Sequence, residues 1–494
     1  MLARRSSRLV AFTRRDAGRL LVAAVLLVLA LVAALALYPI SMGDGSEPIR
    51  FVGWLLLSTL VVGTLLGWVW RFRPSLWHRN RPLLLVGLVL VGSALALAVT
   101  ADRSVLPYLA PFATGALLLS VLLDAGVALA VTAIVAVLGG ALTGQPQFAV
   151  YLLLGSLAGI VVLRRGERLT QYVHAGIAMA VVNVGVVSAF GLLQSTDIAG
   201  LFQLELAAIA SAAGSAVAAA GTFAVAGSVF GITTSYQLME LANPSQPLLR
   251  RLLLEAPGTY HHSLMVGNLA ERAAEAVGAD PLLVRVAAYY HDIGKLADPT
   301  AFIENQPAGG PNPHDEMTPE ESARVLAAHV ANGIDIAYQY KLPKPVISFI
   351  PQHHGTGRMS FFWEKARERA VADAGVVPGS SAADAVADSV DERRFRHKGP
   401  KPQSREAAIL MLADSVEASV RSLSNHDEAT IRTMVSRIIS ERLEDGQFDE
   451  CDLTLRDLDQ IREAFIAQLK GMYHRRIEYP QNKIVELESR RQAS

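Results

Sequence analysis

The sequence predicts an all-α protein: a polytopic transmembrane helix bundle followed by a cytoplasmic all-helical domain. Three observations lead there. The chain of 494 residues is 51% hydrophobic, and its mean hydropathy of +0.32 is high for a soluble protein. From about Leu20 to Gly231 it is mostly Leu, Val, Ala and Gly, in runs long enough to cross a bilayer. After Gly231 apolar residues recur at helix spacing, as in Leu269, Ala273 and Val277, with no run of alternating strand pattern. The organisation expected is a membrane region over 1–231, a connector over 232–256, a helical domain over 257–480 and a charged tail over 481–494.

In the membrane region, apolar runs near 20–38, 51–70, 83–100, 105–123, 126–143, 148–163, 171–193 and 200–230 make about eight helices. The first has a basic start, and Ala34-Leu35-Ala36 is like a cleavage site. Its apolar run is too long for a signal peptide and reads as an anchor. Only Asp124-Ala125 separates the fourth run from the fifth, which predicts a tight hairpin. The Gly and Ala content of 207–228 predicts close helix packing. Arginines set the orientation. Arg4, Arg5, Arg8, Arg14, Arg15 and Arg19 precede the first span, and Arg71, Arg73, Arg79 and Arg81 follow the second. Arg164, Arg165 and Arg168 follow the sixth, and Arg250 and Arg251 the last. The opposite loops hold Asp44, Glu47, Asp102 and Asp197, with Arg50 and Arg103 as exceptions. This predicts a multi-pass protein of the cell (inner) membrane, with an even number of spans and both termini in the cytoplasm. Polar residues inside the spans are few, His174, Asn183 and Glu205 chief among them, and too few are ionisable for a transport path.

Ser235 to Leu254 is amphipathic, broken by Asn243-Pro244, and reads as a short, stiff connector. Beyond it, Ala372 to Asp391 is rich in Ala, Ser, Gly and Asp and reads as a mobile insertion. Lys+Arg and Asp+Glu both number 45, so the basic excess of a polymeric-nucleic-acid binder is absent. The one cysteine, Cys451, excludes an internal disulfide framework and a thiolate zinc site.

The chain has 12 histidines, most of them after residue 260. In Tyr290-His291-Asp292-Ile293-Gly294-Lys295, the adjacent His and Asp can ligate one metal, or the Asp can bridge two with its two oxygens. Gly294 is expected to let the backbone turn sharply at a helix end. His262 shares a helix face with Val266 and Leu269 and points inward, whereas His261 points to solvent. His329 follows Val325 by one turn and faces a core. His353 and His354 follow Ile350 and lean to one side. Asp414 follows Leu410 by one turn in an apolar helix, where a buried carboxylate needs a metal or a cation. Alone, each could be a satisfied core residue. Together His262, His291, Asp292, His329, His353, His354 and Asp414 are nitrogen and oxygen donors on inward faces, a good match to a two-metal site. His314, in a Pro-rich loop, is at most in contact with such ligands, and His397, His426 and His474 are expected at the surface.

Gly258-Thr259-Tyr260-His261-His262-Ser263, His291-Asp292-Ile293-Gly294-Lys295, Gln352-His353-His354-Gly355-Thr356 and Leu412-Ala413-Asp414-Ser415-Val416-Glu417-Ala418 resemble the HD-domain phosphohydrolases. Gly399-Pro400-Lys401-Pro402-Gln403-Ser404 and Gly446-Gln447-Phe448-Asp449-Glu450-Cys451 narrow this to a subfamily. They resemble the membrane-bound HD phosphodiesterases with a seven-helix region, the PgpH type, which cleave cyclic di-AMP. The resemblance covers nearly all of the chain from about residue 105.

The resemblance implies that the helical domain is an HD domain with two divalent metal ions, iron or manganese. His262, His291, Asp292 and Asp414 would hold one metal, and Asp292, His329, His353 and His354 the other, with Asp292 bridging. Asp292 and Lys295 would be the catalytic residues, Lys295 placed to stabilise developing charge or help the leaving group. The product would be linear 5′-pApA. The partners implied are a cyclic dinucleotide substrate and the lipid bilayer, with no polymeric nucleic acid; a homo-oligomer stays open. Such proteins usually carry a large extracellular domain after the first helix. Here about a dozen residues, Pro39 to Arg50, fill that place, so a sensor of that kind is not expected.

Two other readings stay open. One is the same chemistry on cyclic di-GMP or another nucleotide. The HD subclass that cuts cyclic di-GMP usually has a Gly-Tyr-Pro motif, and Gly355-Thr356-Gly357-Arg358 follows the histidine pair here instead. The other is a membrane receptor or scaffold with a non-catalytic HD domain, against which every expected ligand is present.

Overall fold

A computed structural model describes residues 14–36, 47–163, 168–307 and 309–473. Among them all regular structure is helical, apart from one isolated bridge between Arg358 and Arg396. His474 and the 481–494 tail lie outside the described residues. The chain divides into two compact units, Met1–Gln237 and Leu238–Ser494.

Among the described residues of the first unit, 5 helices are long and apolar enough to cross a membrane: Phe51–Phe72, Asn80–Thr100, Ala125–Thr143, Leu169–Leu193 and Ile198–Phe230. Leu21–Leu35, Leu106–Leu122 and Pro146–Val162 are shorter apolar segments. All of them fall where the apolar runs predict. Leu60, Val181 and Val217 stay 67%, 68% and 73% exposed, as side chains facing lipid would be. The run over 105–123 is not one helix: it breaks into Leu106–Leu109 and Ala113–Leu122. Pro111 has no N–H and forces Ala110 into extended backbone, φ −66 and ψ 136. The carbonyls freed there are used. Ala110 O accepts from Ser211 Oγ at 2.7 Å, and Tyr108 O from the Tyr151 hydroxyl at 2.8 Å. At the tight hairpin Asp124 accepts from the N–H groups of Gly126 and Val127 at 2.7 and 3.0 Å, capping the next helix. The same carboxylate accepts from Arg73 Nε at 2.8 Å. Glu205 accepts from Ser188 Oγ at 2.7 Å, His174 is exposed, and Asn183 is buried against Gly155.

In the second unit most helices start with an N-cap side chain or a proline. Asp280, Ser404 and Asp427 cap three of them, and Thr318 with Glu321 forms a capping box. Pro247, Pro257, Pro281 and Pro319 occupy first-turn positions, where a missing N–H costs nothing. Arg405–Arg421 is the central helix. Ala407 through Asp414 are all buried along it, against Val266, Leu269 and Ala273 of Pro257–Val277 and against Ile438 and Phe465. The amphipathic stretch after the membrane region packs into this unit: Leu238, Leu248, Leu249 and Leu252 share a core with Tyr290, Ile293 and Ile350. The 372–391 segment is structured rather than a loose insertion. Ser380 caps a helix, Ser381–Asp388, that buries Ala383 and pairs Asp388 with Arg367 at 2.8 Å.

Candidate metal centre

The expected ligands come from six helices and turns of the second unit. His262 lies on Pro257–Val277, and His291 ends Pro281–Tyr290. Asp292 precedes the turn Ile293–Ala297, and His329 lies on Pro319–Gln339. His353 and His354 follow Phe349–Gln352, and Asp414 lies on the central helix. The structure brings all of them together. One group is His262, His291, Asp292 and Asp414, and the other is His329, His353 and His354, with the ligand atoms of each within 4.8 Å of one another. His261 is exposed, as its helix face predicts.

Asp292 stands between the groups. Its Oδ2 lies 3.2 Å from His291 Nε2 and 3.7 Å from His262 Nε2. Its Oδ1 lies 3.4 Å from His329 Nε2 and 3.6 Å from His353 Nε2. Asp414 Oδ1 lies 3.0 Å from His262 Nε2, and its Oδ2 lies 3.7 Å from His354 Nδ1. Backbone carbonyls fix three of the imidazoles. His291, His329 and His353 donate Nδ1–H to Ala288, Leu326 and Ile350, each three residues earlier, at 2.7, 2.5 and 2.6 Å. Each Nε2 is thereby turned to the centre.

Gly294 is needed for a different reason from the expected one. A Cβ there would collide with His329 O and Gly333 N, so the glycine lets the His-Asp turn lie directly on the His329 helix.

Burial disfavours charge on His291, yet Asp292 and Asp414 outweigh it and hold its pKa at about 10. Burial also opposes charge on Asp292, but His291 and Lys295 keep its carboxyl well below the usual range. Burial and the neighbouring His291 push His353 down to about 3, and burial with His353 and His397 pushes His354 well down too. One side of the centre is thus an acid-rich pocket and the other a set of neutral imidazoles, which are the forms that ligate cations. His291 Nε2 and Asp292 Oδ1 are buried without a well-aligned hydrogen bond, although His291 Nε2 lies 3.2 Å from Asp292 Oδ2. Buried polar atoms rarely go unpartnered, and a divalent cation between these groups would satisfy both. The donor set therefore fits a metal.

Lys295 Nζ is fixed by two carboxylates, Asp292 Oδ2 at 2.8 Å and Glu304 Oε1 at 2.7 Å, and lies 4.9 Å above the Phe302 ring. Sequence reasoning missed Glu304. It also missed Glu417, whose Oε2 accepts from His262 Nδ1 at 2.5 Å and which is 3% exposed. An acid three residues after Asp414 in the same apolar helix was the available signal. His397 is not a free surface residue: its ring lies 4.3 Å from that of His354, and burial pushes its pKa to about 4. It sits in an irregular loop, where no periodicity reports burial. His314 is buried away from the ligands, donating to Ala301 O at 2.8 Å beside Phe362. His426 is half-buried, stacked on Tyr473 at 4.2 Å.

Comparison with known proteins gives two family matches. Residues 48–234 match the 7TM receptor with intracellular HD hydrolase family, and residues 259–419 match the HD domain. An HD domain implies divalent-metal binding, and all the grouped His and Asp residues lie inside the matched stretch. Cyclic-di-AMP phosphodiesterase PgpH of Bacillus subtilis (strain 168) is 38% identical over 443 residues, which are 87% of this chain and 60% of that protein. The protein of the same name from Listeria monocytogenes serotype 1/2a (strain 10403S) is 37% identical, over 76% of this chain and 51% of that one. The chain thus spans between about half and three-fifths of the length of these two relatives. A crystal structure of the L. monocytogenes PgpH HD domain in complex with cyclic-di-AMP is 44% identical, covering 47% of this chain and 100% of that one, with a TM-score of 0.42.

Proposed function

We propose that this chain, which belongs to the family joining a seven-helix membrane region to an HD hydrolase domain, is a membrane-anchored phosphodiesterase that hydrolyses cyclic di-AMP to linear 5′-pApA. The observation that carries the reading is Asp292, whose two oxygens face two separate groups of histidines. His262, His291, Asp292 and Asp414 would hold one divalent ion, and Asp292, His329, His353 and His354 a second, manganese or iron. Bound there, the two ions supply a water of lowered pKa and a Lewis-acid grip on the phosphodiester.

The chain's own residues do the rest. The backbone carbonyls of Ala288, Leu326 and Ile350 hold three imidazoles in the ligating tautomer. Glu417 holds His262. Lys295 is a positioning residue in this reading: its ammonium is fixed on Asp292 and Glu304, so it orients the bridging carboxylate and balances its charge. Water's oxygen bonds to phosphorus, the bond to the 3′-oxygen breaks, and the proton released goes to that leaving oxygen. The cell membrane, with the HD domain on the cytoplasmic side, is the location supported by the arginine asymmetry; reporter fusions at Asp44 and the C-terminus should report opposite sides.

The test is turnover by the purified full-length protein with manganese, with cyclic di-AMP and cyclic di-GMP side by side and products separated by chromatography. The expected result is 5′-pApA formed faster than any cyclic di-GMP product. Faster cleavage of cyclic di-GMP overturns the substrate, and a metal-loaded chain that cuts neither overturns the enzyme reading.

A further inference from the structure

The ligands of the centre are closed from solvent on most sides. Their side chains are at most 12% exposed, except His354 at 27%. Substrate must therefore arrive over His354, where His397 also lies. A cation stands on that side. The Gly357 N–H donates to His354 O at 2.9 Å, and a methyl group placed on Gly357 would come within 3.0 Å of Arg442 Nη1. Arg442 Nη2 donates to Ser415 Oγ at 3.1 Å, on the residue after Asp414. The guanidinium thus lies against Gly357, which is hydrogen-bonded to the His354 carbonyl, and on Ser415, the neighbour of Asp414.

Three other cations of this region are committed to carboxylates. Lys295 is held by Asp292 and Glu304, Arg396 by Glu392 and Asp445, and Lys401 by Asp449. Arg442 pairs with no carboxylate among the described residues. Asp445, one turn further on, is bonded by Arg396 at 2.8 Å and by Gln447 at 2.7 Å. A guanidinium carries five N–H donors in a planar fork, and the Ser415 hydroxyl takes one of them. A half-buried, unpaired arginine with open donors fits an anion better than a structural role.

We infer that Arg442 forms a phosphate subsite at the mouth of the metal centre and holds the second phosphodiester of a cyclic dinucleotide while the first is cut. This rests on the phosphodiesterase reading above. One phosphodiester is enough to engage the metals, whereas a cyclic dinucleotide carries a second negative charge into a partly desolvated site. Arg442 then selects for two linked phosphates.

The experiment compares kcat/KM for cyclic di-AMP and for bis(p-nitrophenyl) phosphate, which has one phosphodiester. It uses full-length, manganese-loaded wild type, Arg442→Gln and Arg442→Lys. Metal content is measured on each. In Arg442→Gln the preference for cyclic di-AMP over the small diester should fall about tenfold or more, mostly through KM, as for loss of a charge-assisted hydrogen bond. Arg442→Lys should recover part of it, because it restores the charge and not the fork. Equal losses on both substrates, or no loss on cyclic di-AMP, overturn the subsite and leave the enzyme reading standing. A wild type that cuts the small diester and leaves cyclic di-AMP intact overturns the substrate reading and the subsite together.

Discussion

Glu417 offers the most specific test of how the centre is built. Its carboxylate accepts from His262 Nδ1 at 2.5 Å, 3% exposed, while His262 Nε2 faces Asp414 at 3.0 Å. Fixing Nδ1–H leaves the Nε2 lone pair for a metal, and the negative charge makes that nitrogen a better donor. Arg421 lies 3.6 Å from the other Glu417 oxygen, so the carboxylate has a fixed direction. Replacing a buried charge-assisted hydrogen bond costs about 1.5–3 kcal/mol. Carried into binding, that is roughly a 10- to 100-fold weaker metal Kd. Glu417→Gln keeps the shape and a neutral acceptor, so it should sit near the lower figure, and Glu417→Ala near the upper. The assay is competitive manganese titration of the purified full-length protein against a fluorescent chelator. Thermal melts of the metal-free protein run in parallel check that each variant is folded. Folded variants that bind manganese within about twofold of wild type would refute the reasoning.

Three further outcomes follow from the same geometry. His262→Ala should lose bound metal and His261→Ala should keep it, measured by elemental analysis, because the first is buried and the second exposed; the reverse would mean the helix face is misassigned. Gly294→Ala should destabilise the fold by about 3 kcal/mol, read by denaturant unfolding of the metal-free protein, because the added methyl meets backbone atoms of His329 and Gly333 that cannot move aside; a change under about 1 kcal/mol would contradict the close approach. Metal uptake should release protons. With its pKa raised from 6.5 to about 10, His291 carries a proton at pH 7 in the metal-free site. Affinity should therefore rise with pH up to about that value, and binding heats should depend on the buffer's ionisation enthalpy. The same shift stabilises the metal-free fold fully below pH 6.5, and that contribution is lost as pH rises through about 10. Heats independent of buffer would contradict it.

Much of the centre was legible because helices report burial through their period. His262, His329 and Asp414 each repeat an apolar position one turn away, so an inward face could be read without coordinates. The His291-Asp292 pair carried its own chemistry. What stayed hidden depends on tertiary contact. His397 lies in an irregular loop, and nothing local says that its ring will meet His354. Glu304 is far from the ligands' helices in pattern, and its role comes only from the fold that delivers it to Lys295. Gly294 was noticed for the wrong reason: a turn is a local property, whereas the approach of a second helix is not. In the membrane unit, hydropathy hid the break at Pro111 because the pieces on both sides belong to one apolar run. The proline itself was the signal. The stretch after Ser235 reads as a connector by amphipathicity, but the same apolar face serves as part of the second core.

The account depends most on Asp292 joining two metal sites. The direct measurement is manganese content together with low-temperature electron paramagnetic resonance of the full-length protein. The account predicts close to two manganese ions per chain with the spectrum of an exchange-coupled pair, and loss of that coupling in Asp292→Ala. A wild-type protein that binds a single ion, or two ions without coupling, would contradict it.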